Sequence, residues 1–102
     1  MIEYTTIRRV TVYAAARMEE ELVAHFLKMG STGYTVTECR GKGEHPVVDD
    51  PLGPNTSHVR IELLVTPQVA DAIMAYFVSY HHRNPSLAAC VESVDVPKSE
   101  RY

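Results

Sequence analysis

The sequence is poor in cysteine, has no excess of positive charge and contains no long apolar run. Its two cysteines, Cys39 and Cys90, are not spaced like metal or redox pairs, so we expect free thiols, as is usual in a cytosolic protein. A net charge of −3 argues against binding to nucleic acid. Because no segment approaches the roughly 20 apolar residues of a membrane span, and Met1 to Tyr4 do not begin a signal peptide, we expect a cytoplasmic protein without membrane insertion.

What the sequence does contain is an alternation of strand-like and helix-like patterns. Four segments with the two-residue period of strands cover about residues 5–14, 33–40, 58–65 and 87–96. Between the first two, apolar residues recur at spacings of four, four and three, as on one face of a helix over 16–29: Met18, Leu22, Phe26 and Met29. Thr66 and Pro67 have the chemistry of a helix start, and the second helix extends to about Tyr80.

The element order β-α-β-β-α-β predicts an α+β fold of the ferredoxin-like type in a single domain, residues 1–102. Such a fold has a four-stranded antiparallel sheet with both helices on one face. On the third strand, Arg60, Glu62 and Leu64 alternate with apolar residues, so we expect them on the other face. That face is either solvated or covered by further copies of the chain.

A long segment between the second and third strands fits neither pattern. Residues 44–57 contain three prolines and only three aliphatic residues, so they cannot bury enough surface to order alone. Gly41-Lys42-Gly43 precedes them, and glycines allow consecutive backbone N–H groups to form an anion-binding concavity. An ordinary glycine turn with a solvated lysine is the alternative. Long structureless loops in compact domains are usually functional or disordered, and we expect this one to be functional.

Three motifs carry a resemblance to a known family: Gly33-Tyr34-Thr35-Val36, Gly41-Lys42-Gly43 and Pro54-Asn55-Thr56-Ser57, in this order. Together with the element order, they resemble the PII signalling proteins over nearly the whole chain. The resemblance is closest to the carbon-related branch, the carboxysome-associated and SbtB-type PII-like proteins.

The resemblance implies a homotrimer that binds adenine nucleotides in clefts between subunits. The ligand would be ADP or AMP, with ATP as a further candidate. By position, the nucleotide would contact Thr35, the turn Gly41, Lys42 and Gly43, the backbone near Leu64, and Arg83. Bicarbonate would be a second ligand at Gly41, Lys42 and Gly43. The trimer would cover the sheet face that carries Arg60, Glu62 and Leu64.

The resemblance also implies a non-enzymatic regulator of inorganic-carbon uptake or carboxysome-related metabolism. Its T-loop, about 41–57, would dock on a protein target such as an inorganic-carbon transporter or a carboxysome component. Its B-loop, about 81–87, would close over the phosphates. The sequence departs from nitrogen-sensing relatives in two places: His82, Arg83 and Asn84 replace a glycine and a lysine, and no tyrosine occurs in 44–57. Regulation by tyrosine modification is therefore not expected.

Two other functions fit a small ferredoxin-like domain: a CutA-like trimeric metal-binding protein and a small enzyme. The sequence offers little for either. No two of the five histidines have the i, i+4 spacing of a helical zinc site; they are His25, His45, His58, His81 and His82. There is no nucleophile elbow and no recognisable Cys–His arrangement. We therefore predict no metal site, no cofactor and no catalytic residues.

Overall fold

The structure, a computed structural model, describes residues 1–40, 58–80 and 87–98. These residues form, in chain order, β1 (Tyr4–Ala15), a 3-10 turn (Ala16–Met18), α1 (Glu19–Lys28), β2 (Thr35–Cys39), β3 (His58–Val65), α2 (Pro67–Tyr80) and β4 (Ala88–Pro97). The predicted order of strands and helices and the ferredoxin-like fold are confirmed. The predicted T-loop, and all but Leu87 of the predicted B-loop, lie outside the described residues.

The four strands form one antiparallel sheet in the order β2-β3-β1-β4. Each helix therefore connects two strands that are not neighbours: α1 links β1 to β2 across β3, and α2 links β3 to β4 across β1. This crossing pattern places both helices over the central pair of strands. The central strands β1 and β3 pair from Arg8–Val65 to Ala15–His58.

The core lies between the central strands and the helices. Directly opposite residues of antiparallel strands share a face, so the register aligns Val10 and Val12 with Leu63 and Ile61. All four side chains are at most 1% exposed. The helices add the buried residues Met18, Leu22, Phe26, Ile73 and Phe77 to the same cluster. The predicted apolar stripe of the first helix is therefore correct, although Met29 at its end is only partly buried.

The first helix begins differently from the prediction of one helix over 16–29. Residues Ala16–Met18 form a 3-10 turn, and the α-helix starts at Glu19. Ala15 precedes the turn in an extended conformation and has no side chain that can cap a helix, so the tighter turn serves as the entry, as is common at helix N-termini. Three glutamates, Glu19 to Glu21, consequently occupy the first turn of α1. Their negative charges interact favourably with the positive end of the helix dipole.

The end of α1 and the start of α2 are both defined by hydrogen bonds, and the predicted start at Thr66 and Pro67 is confirmed. Gly30 follows the C-terminus of α1 with φ at +113°, a conformation that other residues rarely adopt. The backbone N–H of Ser31 donates to the carbonyl of Phe26 at 3.1 Å across this turn. At the start of α2, the backbone N–H of Val69 donates to the Thr66 hydroxyl at 3.4 Å. Pro67 is the first helical residue.

The pair β1–β4 runs past the end of β3 as a two-stranded ribbon. The β1–β3 ladder ends at Arg8–Val65, whereas the β1–β4 ladder continues to Tyr4–Pro97. Beyond it, the N–H of Lys98 donates to the carbonyl of Glu3 at 2.8 Å. Along the ribbon, the Thr6 hydroxyl donates to the Asp95 carboxylate at 2.6 Å. Glu3 and Lys98, near the two ends of the described chain, are thus close together.

Candidate functional site

The sheet face opposite the helices carries the polar side chains of the central strands. On β3, the alternation seen in the sequence places His58, Arg60, Glu62 and Leu64 there, each half-buried. The register brings Arg9 of β1 opposite Leu64, and Thr11 opposite Glu62. No helix or strand of the described residues packs over this face, which we call the open face.

One end of β2 separates from β3 and opens a gap at the edge of the sheet. The β2–β3 ladder ends at the pair Thr35–Glu62, while β3 continues to Val65 on its other side. Residues 63–65 are therefore the edge of the sheet on the β2 side. The prediction that strand two starts at Gly33 was two residues too early, because an irregular connection after α1 extends to Tyr34. The Ser31 hydroxyl holds this connection by donating to the Gly33 carbonyl at 2.7 Å.

A cavity of about 520 Å³ occupies this gap. Residues from three strands and from the connection before β2 surround it: Arg9, Thr32, Gly33, Tyr34, Thr35, Glu62 and Leu64. The lining combines hydroxyl groups, an aromatic ring, an aliphatic side chain, one cation and one anion. Such a mixture suits a small organic ligand with both a flat apolar part and several hydrogen-bonding groups.

The charges around the cavity are arranged in pairs. The Nε of Arg9 donates to Oε1 of Glu92 on the neighbouring strand at 2.7 Å. This hydrogen bond, together with the opposite charge, holds the pKa of Glu92 below its usual value and raises the pKa of Arg9. On β3, the Nε of Arg60 lies 3.4 Å from Oε1 of Glu62, within range of an ion pair but without the geometry of a hydrogen bond. The series Glu92, Arg9, Glu62 and Arg60 alternates in sign.

The loop of residues 41–57 starts and ends at the opposite end of β2. Cys39, the last residue of β2, pairs with His58, the first residue of β3. Four residue steps of strand separate Cys39 from Thr35, or about 13 Å at roughly 3.3 Å per residue. The cavity and the base of the loop are therefore at the two ends of one short strand.

Of the predicted site residues, the structure brings two together. Thr35 and Leu64 both line the cavity, on neighbouring strands. Gly41, Lys42, Gly43 and Arg83 lie outside the described residues, so their predicted roles at phosphate and bicarbonate stay predictions. Thr35 and Leu64 are likewise assigned to a nucleotide by resemblance alone.

Sequence reasoning assigned only Thr35 and Leu64 of the seven lining residues to the site. Gly33 and Tyr34 appeared only within a motif and Glu62 only on a sheet face, whereas Arg9 and Thr32 were missed altogether. Arg9 stands on β1, far from Leu64 in the chain, and only the β1–β3 register brings the two together. The alternation of β1 was visible, but it does not reveal which residue of β3 lies opposite. Thr32 precedes the Gly33-Tyr34-Thr35 motif directly, so extending that motif by one residue would have found it.

The described residues contain no group of three His, Cys, Asp or Glu side chains that could hold a metal ion. Cys39 and Cys90 are free thiols. His58 lies opposite Cys39, and its Nδ1 is buried without a hydrogen-bond partner. His45, His81 and His82 lie outside the described residues. Neither helix in the described ranges is long and apolar enough to cross a membrane.

Comparison with known proteins gives a consistent family. The profile of the family "Nitrogen regulatory protein P-II" matches residues 7–100. No curated protein matches the sequence. Among solved structures, a PII-like signalling protein from Thermus thermophilus is 27% identical, with a TM-score of 0.80 over 99% of each chain.

Two structures of the protein CPII from Thiomonas intermedia K12 share the fold at lower identity. One, bound to ADP and bicarbonate, is 16% identical, with a TM-score of 0.81 over 99% of this chain and 98% of that one. Another, bound to ADP, AMP and bicarbonate, is 15% identical, with a TM-score of 0.78 over 95% of this chain and 99% of that one. CPII is described as a nitrogen regulatory PII-like protein.

Proposed function

Because the chain belongs to the nitrogen regulatory protein P-II family, we propose that it is a non-enzymatic, cytoplasmic PII-like signalling protein. It assembles as a homotrimer and binds ADP or AMP between subunits, with ATP as a further candidate. Bicarbonate is its second ligand. The residues 41–57 are its T-loop, and residues 81–87 its B-loop.

The observation that carries this proposal is the cavity beside Thr35 and Leu64. Its apolar surfaces, the Leu64 side chain and the Tyr34 ring, suit a purine ring, and its hydroxyl groups suit a ribose. Residues 63–65 of β3 form a sheet edge on the cavity side. Backbone N–H and C=O groups at such an edge need partners, and the polar edge of adenine offers both a donor and an acceptor.

The length of β2 is consistent with phosphates that reach the base of the loop. With the nucleoside in the cavity, phosphates directed along β2 would approach the base of the loop, about 13 Å away. Gly41, Lys42 and Gly43 follow there in the sequence and provide backbone donors and a cation. Arg83 would add a further contact from the B-loop. Bicarbonate would share the Gly41–Gly43 turn.

The ligands bound to CPII support the choice of ADP, AMP and bicarbonate here. The motifs that resemble the carbon-related branch favour a role in inorganic-carbon uptake or carboxysome-related metabolism. The protein target would be an inorganic-carbon transporter or a carboxysome component that contacts the T-loop.

Ligand binding by the purified wild-type protein tests this proposal. A ligand specific for the native state stabilises it by about 2.7 kcal/mol at a hundredfold excess over Kd. We expect millimolar ADP and AMP to raise the melting temperature, and bicarbonate to change nucleotide affinity in calorimetry. GMP is the control. Equal shifts with GMP and ADP would refute a specific adenine site, and no effect of bicarbonate would remove the second ligand.

Two pairs of variants test the predicted contacts. Thr35→Val should weaken ADP binding, whereas Thr37→Val, on the same face of β2 but outside the cavity, should not. Lys42→Ala should keep the fold and oligomeric state but weaken ADP binding about tenfold or more, since it removes a charge-assisted hydrogen bond. It should also abolish the bicarbonate effect. Unchanged ADP affinity in Lys42→Ala would exclude a role of the Lys42 side chain at the phosphates.

A further inference from the structure

The cavity contains a charged residue that the proposed contacts leave unused. Arg9 reaches it from β1, one strand beyond Leu64. Its side chain is 41% exposed, and Glu92 accepts the hydrogen bond from its Nε. A guanidinium has five N–H donors in a rigid fork. Glu92 accepts from one of them. The other four, on the two terminal nitrogens, are available to a ligand in the cavity.

The surrounding charges indicate which kind of acceptor Arg9 meets. Glu92 offsets the charge of Arg9 on one side, and Glu62, which also lines the cavity, contributes a second carboxylate. Arg60 in turn pairs with Glu62. Two cations and two anions therefore balance around the cavity. A phosphate placed beside Arg9 would also face Glu62 and Glu92, and like charges in proximity repel. An uncharged group with hydrogen-bond acceptors has no such cost.

The position of Arg9 also favours an uncharged acceptor over a phosphate. Arg9 lies opposite Leu64, at the end of β2 where the cavity opens, whereas the loop base lies about 13 Å away at Cys39 and His58. Phosphates held at the loop base would be far from Arg9. The ring nitrogens of a purine and the oxygens of a ribose are uncharged acceptors of the required kind.

From this geometry we infer that Arg9 recognises the uncharged nucleoside part of the ligand through its terminal N–H groups, and that Glu92 is its positioning residue. The inference rests on the proposed function, since it assumes a nucleotide in the cavity. Glu92 contributes by fixing the plane of the guanidinium from the side away from the cavity. Arg9 then presents its donors in one orientation, so less conformational freedom is lost when the ligand binds.

Calorimetry with adenosine, AMP and ADP tests the role of Arg9. We expect Arg9→Gln to weaken the binding of all three by the same factor, about tenfold, the usual effect of one lost hydrogen bond from a charged donor. Arg8→Gln is the matched control: it removes the same charge from the adjacent residue, which lies on the other face of the sheet opposite Val65. Arg8→Gln should bind all three ligands like the wild type.

Three outcomes would overturn the inference, and they differ from one another. A loss that grows from adenosine to AMP to ADP would make Arg9 a phosphate-binding residue. Unchanged affinities in Arg9→Gln would mean that Arg9 does not contact the ligand. If the wild type binds none of the three, the proposed function fails as well, which separates this result from the first two.

The role of Glu92 needs a measurement that a loss of stability alone would not change. Glu92→Gln should weaken adenosine binding, Glu92→Asp should recover most of the affinity, and the double variant Arg9→Gln/Glu92→Gln should bind no more weakly than Arg9→Gln alone. Thermal melting of the unliganded variants serves as the control for folding. Additive losses in the double variant would show that Glu92 does not act through Arg9.

Discussion

At the scale of single residues, Gly30 shows how one backbone conformation directs the chain from α1 into the wall of the cavity. Its φ of +113° turns the chain from α1 toward the cavity wall at Thr32 to Thr35. A Cβ at this position would lie 3.2 Å from Cγ2 of Val69. Glycine avoids both the strained backbone and this contact, so the turn depends on it.

We therefore predict that Gly30→Ala lowers the free energy of unfolding by about 1–3 kcal/mol, the usual cost of a strained backbone conformation. Gly33→Ala is the control, because a Cβ there has no atom within 4 Å and its φ is not in the left-handed range. Urea denaturation of both variants measures the difference. Equal losses in the two variants would contradict this account.

The pair of Arg9 and Glu92 predicts a dependence on pH. Because the pKa of Glu92 is lower in the folded chain than its ordinary value of 4.5, the pair stabilises the fold above that value, and the contribution is lost as the pH falls through the folded pKa. In Arg9→Gln, the pKa of Glu92 should return toward the ordinary value. Carboxyl chemical shifts recorded by NMR during an acid titration measure this change. An identical pKa of Glu92 in both proteins would exclude the pair in solution.

At the scale of elements, the two helices are joined to each other as well as to the sheet. The ring centroids of Phe26 on α1 and Phe77 on α2 lie 6.1 Å apart. Tyr76 packs edge-on against Phe77, with 5.9 Å between the ring centroids. His25 adds a tilted contact with Tyr76 at 5.0 Å. This aromatic cluster connects the helix that leads to β2 with the helix that leads to β4.

Phe26→Ala should lower the free energy of unfolding by about 3–5 kcal/mol, as expected when a large side chain is removed from a packed core. Phe26 is fully buried, whereas the adjacent Leu27 is 45% exposed. Leu27→Ala should therefore change stability by less than about 0.5 kcal/mol. Chemical denaturation of the two variants provides the comparison, and similar losses would mean that α1 packs through a different face.

The sequence predicted the elements better than it predicted the site. Strand β3 was correct to the residue, because its side chains alternate strictly between buried and half-buried. The ends of α1 and β2 were less accurate, since a 3-10 turn and a serine-held connection leave no simple period in the sequence. Arg9 could not be assigned to the cavity, because the register between β1 and β3 depends on contacts distant in the chain.

At the scale of the whole molecule, the open face raises the question of what covers it. Tyr13, which lies opposite Arg60 on this face, is 42% exposed in the isolated chain. In the proposed trimer, the neighbouring subunits cover this face. A sheet with one solvated face can also be stable alone, so the question requires a measurement of mass.

We predict that sedimentation equilibrium at micromolar concentration gives three times the chain mass of 11.4 kDa. Tyr13→Asp should weaken the trimer, because it places a charge on the face that the subunits bury. Leu27→Asp is the control, with a similarly exposed apolar residue on the helix layer instead. A wild-type monomer or dimer would refute the trimer, and equal dissociation in both variants would exclude the open face as the interface.

The β1–β4 ribbon also has a consequence for the order in which the protein folds. β1 is synthesised first, yet it pairs with β3 and β4, the last two strands of the sheet. On the ribosome, β1 therefore waits for nearly the whole chain before both of its edges are satisfied. Contacts between residues so distant in the chain slow folding. Until residues 88–97 are available to pair, one edge of β1 is open and can join another chain. Nascent copies are therefore most prone to associate wrongly before β4 pairs.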